Sequence, residues 1–328
     1  MTLDELIGAR LAVGFPGTEA TPTLIESLRR TQAQSLVVFN RNFTDPEQFR
    51  RLVQKLEEGL GRRLLIMVDH EGGRVIRFVS GVTRFPDALT QARQGLEAIE
   101  RQGKLEAREL TALGVRMNLA PCVDVLAEGC DPVIGDRSYG YDPVLVGALA
   151  AARIRGLQSH GVAACAKHFP GLGAVPKDPH KTLPTITLDR STMKRVHLAP
   201  FRAAIEAGVA AVMSSHVCYP ALGEPPGLPA TFSTALIRER LRSELGFRGC
   251  ILTDDLEMGA LRALGTIGEA AVRATEAGHD VLLICSDLTL AEEAFSSLRR
   301  AYVDGRLSRD ELAASAQRVA DLRKNFLS

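Results

Sequence analysis

Eight short apolar runs, rich in β-branched residues, constrain the fold more than any other feature of the chain. They are Leu11–Phe15, Ser35–Asn40, Leu64–Asp69, Val115–Ala120, Val162–Lys167, Val209–Ser214, Cys250–Thr253 and Val281–Cys285. Nearly continuous apolar character is what a strand buried on both faces needs. The stretches between them carry helix signals. Asp142 before Pro143 is a good helix start, Ser233 can cap another helix, and Asp287 or Thr289 a third. The stretches before the strands end repeatedly at glycine, at Gly114, Gly161, Gly208 and Gly278. Glycine there permits the left-handed turn that closes a helix. Strands alternating with helices imply a parallel sheet, and eight strands close a ring. The expectation is an α/β fold, a (β/α)8 TIM barrel forming one domain over residues 1–328. An extra amphipathic helix is expected at Arg309–Asn325. A doubly wound open sheet is the alternative, disfavoured because no G-x-G-x-x-G follows the first strand.

Composition removes several function classes. The 328 residues carry 40 basic and 39 acidic side chains, for a formal charge of +1. Without a basic stripe and interleaved aromatics, nucleic-acid binding has no support. No apolar run approaches the ~18 residues of a membrane span. The start Met1-Thr2-Leu3-Asp4-Glu5 lacks a basic-then-apolar signal region, so a cytoplasmic protein is expected. The six cysteines form no C-x-x-C pair and read as reduced, partly buried thiols.

In a barrel, chemistry gathers at the C-terminal ends of the strands. Here the third run ends in Asp69-His70-Glu71-Gly72-Gly73-Arg74. The fourth leads through Asn118, Pro121 and Asp124 to Asp136 and Arg137. The fifth ends in Lys167-His168, the sixth in Ser214-Ser215-His216 and the seventh in Thr253-Asp254-Asp255. Taken singly, Asp254 also reads as a helix cap and His216 as a satisfied core histidine. A buried Lys167 needs an anionic or hydroxyl-rich neighbour, because an unpaired buried ammonium is costly. Together these residues suit a polyhydroxylated ligand. Aromatics make up 5% of the chain and tryptophan is absent, which favours a small pocket for one terminal sugar over a long stacking groove.

The run Lys167-His168-Phe169-Pro170-Gly171-Leu172-Gly173, followed by Asp178-Pro179-His180 and Leu183-Pro184, resembles the K-H-F-P-G-x-G…D-S-H…P segment of family 3 glycoside hydrolases. It is most similar to their β-N-acetylglucosaminidase (NagZ-type) branch. Further segments fit the same branch, among them Val68–Val75, Ala120–Asp124, Asp136–Ser138, Val212–His216 and Leu252–Met258. The resemblance implies a retaining exo-β-N-acetylglucosaminidase, with Asp254 as nucleophile and Asp255 as the second choice. It implies an acid/base pair of His180 and Asp178 on a loop able to close. It also implies sugar binding by Asp69, Arg137, Lys167 and His168, with possible contacts from His70 and His216. The branch implies no metal or organic cofactor, muropeptides from peptidoglycan as substrates, and a monomer is expected. Three positions depart from the common pattern. Pro179 stands where serine is usual, Leu172 where histidine is frequent, and His70 where glutamine is usual. Proline at 179 biases Asp178 to an extended conformation, so a more rigid or differently aimed pair is expected.

Other functions remain open at this level. Asp69, His70, His168, His180, His216 and Asp254 offer nitrogen and oxygen ligands for a metal-dependent hydrolase, although no H-x-H follows the first strand. A sugar-binding protein without catalysis and a β-N-acetylglucosaminide phosphorylase complete the set.

Overall fold

The apolar runs pair, each with its neighbour in the chain, into a closed parallel ring β1 to β8. In a computed structural model describing residues 1–327, the strands are β1 Leu11–Val13, β2 Ser35–Val38, β3 Leu65–Val68, β4 Met117–Asn118, β5 Ala163–Phe169, β6 Ala211–Ser214, β7 Cys250–Asp255 and β8 Val281–Ile284. Closure comes from β1 against β8, with Ala12 opposite Leu283. The α/β-barrel expectation holds, and the open sheet is excluded.

Each strand is apolar on both sides because each side meets a different core. Alternate residues such as Val37, Leu65, Met67, Met117, Cys165 and Leu252 fill the barrel interior. Their neighbours, among them Leu36, Ile66, Val68, Ala164 and Ile251, pack outward against the surrounding helices. The interior layers use small residues beside larger ones, so the barrel is filled and not a pore. Helix Arg309–Leu327 caps the N-terminal end and adds Val319 and Leu322 to the interior cluster. It runs two residues beyond the expected end at Asn325.

The helix signals act as their chemistry dictates. Asp142 accepts hydrogen bonds from the amides of Val144 and Leu145 ahead of helix Pro143–Gln158. Asp287 caps Leu288–Val303. The Ser233 hydroxyl accepts from the Leu236 amide at 2.9 Å. Gly278 ends Ile267–Ala277 with φ 110°, a left-handed conformation that a side chain would strain. The six cysteines are unpaired, five of them buried. Among the described residues no helix is long and apolar enough to cross a membrane.

Strand boundaries differ from the sequence expectation in a way that matters for the site. β4 keeps regular pairing only over Met117–Asn118, and beyond it an isolated parallel bridge of Cys122 with Lys167 keeps the chain beside β5. β5 and β7 end two residues later than expected, taking in His168, Phe169, Asp254 and Asp255. The register shifts between Lys167 and Phe169 in β5, and between Leu252 and Asp255 in β7. Such irregularities re-aim side chains at a barrel rim.

Candidate active site

A cleft of about 320 Å³ opens at the C-terminal rim. Its walls include Asp69, Arg77, Arg137, Lys167, His168, His180, Asp254 and Asp255. The volume lies at the small end of ligand sites and suits one sugar ring. Val37, Leu119, Met213 and Leu283 form the apolar floor where the barrel interior ends.

One side of the cleft is a charged lattice. The Lys167 ammonium is 1% exposed and sits 2.6 Å from Asp69 Oδ1 and 2.7 Å from Glu71 Oε1. Burial opposes its charge, but the two carboxylates outweigh that cost and hold its pKa above the ordinary lysine value. Glu71 also takes two hydrogen bonds from Arg137, from Nε at 2.9 Å and Nη2 at 2.8 Å. Burial works against its charge, yet Arg137 and Lys167 keep its carboxyl well below the usual range. Asp69 is likewise held low, Lys167 and Arg77 overcoming its burial. Arg77 lies 3.5 Å from Asp69 and also stacks over Phe39.

The second part is a fixed imidazole. Asp124, fully buried, accepts from His168 Nδ1 at 2.7 Å and from the Leu172 amide at 2.6 Å. An ionised carboxylate only accepts, so Nδ1 carries the proton and Nε2 is left toward the cleft, 3.5 Å from Arg137 Nη2. The Cys122 thiol donates to Asp124 at 3.2 Å. Cys122, Asp124 and His168 have donor atoms within 4.8 Å of one another, the one cluster of metal-ligand types found among the described residues. The Cys122 thiol and His168 Nδ1 both bond to Asp124, so the set orients His168. It shares only His168 with the six residues considered for a metal-dependent hydrolase.

The third part is the end of β7. Asp254 Oδ1 accepts the Asp255 amide at 2.8 Å. Burial favours its neutral form, but nearby His168 and His216 and that hydrogen bond hold its pKa below the ordinary carboxylate value. Asp255 behaves oppositely. Burial pushes its carboxyl up to about 7, with Glu257 and Asp254 adding repulsion against the amide hydrogen bonds it accepts. Two consecutive acids are thus shifted in opposite directions.

The fourth part is the loop after β5. His180 Nδ1 lies 2.7 Å from Asp178 Oδ1, and the His180 amide donates to the same oxygen at 2.9 Å. The pair therefore forms with Pro179 in place. Nε2 of His180 is not engaged by Asp178, and the ring is largely exposed at the mouth. Leu172 is buried and helps line the cleft.

Two candidates do not reach the cleft. His70 is buried, its Nδ1 accepts the Arg77 amide at 3.2 Å, and its ring packs near Phe78. Burial lowers its pKa to about 4, with help from Arg153 and Arg77. His216 is buried between the Thr231 hydroxyl at 2.5 Å and the Asp255 carbonyl, to which Nε2 donates at 2.8 Å. His70 and His216, expected as possible sugar contacts, are thus not among the residues that line the cleft. Sequence reasoning also passed over Glu71, Arg77 and Asp124 as site residues. The need of a buried Lys167 for an anion was the available signal, and it pointed to Glu71 as much as to Asp69.

Arginine, lysine and imidazole donors, an ionised carboxylate and a second imidazole on a loop now surround a space of one-sugar size. The sequence matches the glycosyl hydrolase family 3 N terminal domain over residues 2–322. The chain belongs to glycosyl hydrolase family 3. This family 3 member is accordingly a glycoside hydrolase. It is 38% identical over 296 residues to a β-hexosaminidase of Nitrosomonas eutropha, covering 88% of this chain and 84% of the relative. Among solved structures it resembles a family 3 β-N-acetylglucosaminidase from Paenibacillus sp. strain FPU-7, with TM-score 0.96 and 38% identity. That match covers all of this chain and 63% of the other, so the family 3 chain spans less than two thirds of that protein's length. It also resembles NagZ from Neisseria gonorrhoeae in complex with N-trifluoroacetyl-D-glucosamine, with TM-score 0.79 and 31% identity over 96% of this chain and 98% of the other.

Proposed function

We propose that this family 3 hydrolase removes terminal β-linked N-acetylglucosamine with retention of configuration. The observation that carries the reading is an ionised Asp254 in a one-sugar cleft whose mouth bears the Asp178–His180 pair. In the first step Asp254 attacks the anomeric carbon while His180 Nε2–H protonates the departing oxygen. A glycosyl ester on Asp254 results. In the second step His180 takes a proton from water, the water oxygen bonds to the anomeric carbon, and the carboxylate leaves. Asp178 orients the ring, as in other Asp–His pairs. Asp69 accepts from sugar hydroxyls, Arg137 and Lys167 donate to the same ring, and His168 positions it through Nε2, which accepts. None of these steps calls on a metal or cofactor.

The β-hexosaminidase and β-N-acetylglucosaminidase relatives support a 2-acetamido sugar in this cleft. We assign the natural substrate to peptidoglycan-derived muropeptides, with N-acetylglucosamine released from a 1,6-anhydromuramic partner in the cytoplasm. Six unpaired thiols support that compartment. The test is kinetics on aryl β-glycosides that differ only at C2. A strong preference for acetamido over hydroxyl is expected; equal rates overturn the N-acetylglucosaminidase reading. One observation favours a second acceptor: a neutral imidazole does not repel phosphate as a carboxylate would. Turnover with and without phosphate separates phosphorolysis from hydrolysis.

A further inference from the structure

The loop that carries Asp178 and His180 is not free at its tip. The Gly259 amide donates to the His180 carbonyl at 3.2 Å, and the Ala260 amide donates to the Pro179 carbonyl at 3.1 Å. Gly259 and Ala260 open the short helix Gly259–Arg262, a few residues after Asp254. Their amides belong to a first turn, where N–H groups have no partner inside the helix. The tip of the loop supplies those partners. It is thereby docked, backbone to backbone, on the segment that leaves β7.

Space at this seat is limited to a bare Cα. A Cβ at Gly259 would stand 2.4 Å from the His180 carbonyl oxygen and 3.1 Å from that of Lys181. Both obstacles are backbone, so neither rotates away as a side chain would. Gly259 itself has no left-handed φ; the requirement is room and not conformational freedom. The loop also folds on itself at this point, with the Lys181 amide donating to the Asp178 carbonyl at 3.1 Å. The tip therefore moves as a unit, and a push at His180 O displaces the imidazole with it.

We propose that Gly259 is a positioning residue for proton transfer, because it seats the Pro179–His180 tip at the height the imidazole needs above Asp254. The proposal rests on His180 as the acid/base. The fixed sugar-binding groups Asp69, Arg137, Lys167 and His168 belong to other strand ends and do not touch this seat. A Cβ at 259 thus separates proton transfer from sugar binding. Relief of a 2.4 Å contact moves the tip outward by roughly 1 Å, and a misplacement of that order can cost up to about 10²-fold in rate.

The experiment is Gly259→Ala in the full chain, compared with His180→Ala and the parent. For β-N-acetylglucosaminides with poor leaving groups, kcat/KM of Gly259→Ala should fall on the order of 10- to 100-fold. Activated aryl glycosides, which leave without protonation, should lose less than about threefold, and inhibition by free N-acetylglucosamine should stay the same. If Gly259→Ala slows both substrate classes alike, or neither, while His180→Ala separates them, the seat is overturned and the acid/base reading stands. If His180→Ala also fails to separate them, the acid/base reading falls and takes the seat with it. Hydrogen exchange on the parent chain gives a readout independent of how the variant folds. The Gly259 and Ala260 amides should be protected; exchange at the rate of an open loop overturns the docking.

Discussion

Glu71 grips Arg137 with two parallel hydrogen bonds and at the same time receives the Lys167 ammonium at 2.7 Å. One carboxylate therefore sets the position of two of the proposed sugar donors. Glu71→Gln keeps the shape but leaves two buried cations undercompensated. Breaking such a pair costs roughly 3–5 kcal/mol. The expected result is a lower unfolding midpoint together with a KM raised about tenfold, a loss of roughly 1.4 kcal/mol in substrate binding. A variant with unchanged KM would show that Arg137 needs no help from Glu71 to meet the sugar.

Asp254→Asn should cut turnover by roughly a thousandfold or more while leaving the unfolding midpoint near the parent value. A covalent intermediate also dictates the product. Proton NMR of the first sugar released by the parent should show the β anomer ahead of mutarotation. Release of the α anomer would contradict attack by Asp254.

His180→Ala should slow poor leaving groups by about 10²- to 10⁴-fold and activated aryl glycosides far less. Asp178→Asn should act in the same direction more weakly, because the ring loses its orienting carboxylate but keeps its reactive nitrogen. Equal losses in both substrate classes would remove His180 from the acid role.

Asp255 gives a pH prediction. Its carboxyl is raised to about 7 by burial and then by Glu257 and Asp254. An acid raised in the folded state contributes stability that is full below its unfolded value near 4, and that is lost as pH rises through about 7. Asp255→Asn makes the side chain permanently neutral and keeps an acceptor for the Cys285 amide, which now donates to Oδ1 at 3.2 Å. The variant should lose that part of the slope of unfolding midpoint against pH between about 4 and 7, and exceed the parent by several degrees at pH 8. Parallel curves across that window would show that Asp255 is not the group that titrates.

The barrel was legible because its signal is distributed. Eight apolar runs, capping residues such as Asp142 and left-handed glycines such as Gly278 all agree. The rim was legible as a set of strand ends, which brought Asp69, Lys167, His168 and Asp254 to the right end of the barrel. Which way each side chain points was not. The period-two alternation of a strand fails across the register shifts at Lys167–Phe169 and Leu252–Asp255, and sequence does not mark such shifts. His70 and His216, adjacent to pocket-lining or rim residues in the chain, also turn into the protein. Asp124 looked like one more rim acid; only its full burial and its contact with His168 Nδ1 make it the group that fixes an imidazole. The seat at Gly259 joins residues about eighty positions apart in the chain, and nothing in the local sequence connects them.

The rim arginines and the lysine are each balanced by a carboxylate: Arg74 by Asp136, Arg77 by Asp69, Arg137 by Glu71 and Lys167 by Asp69 and Glu71. Among the described residues, Asp254 has no such permanent counterion, and the groups that favour its charge are imidazoles and one amide. A guanidinium or ammonium clamped on Asp254 would occupy the oxygen that has to reach carbon. With those cations held by other carboxylates, the proposed nucleophile stays unclamped, and Oδ1 carries only the Asp255 amide.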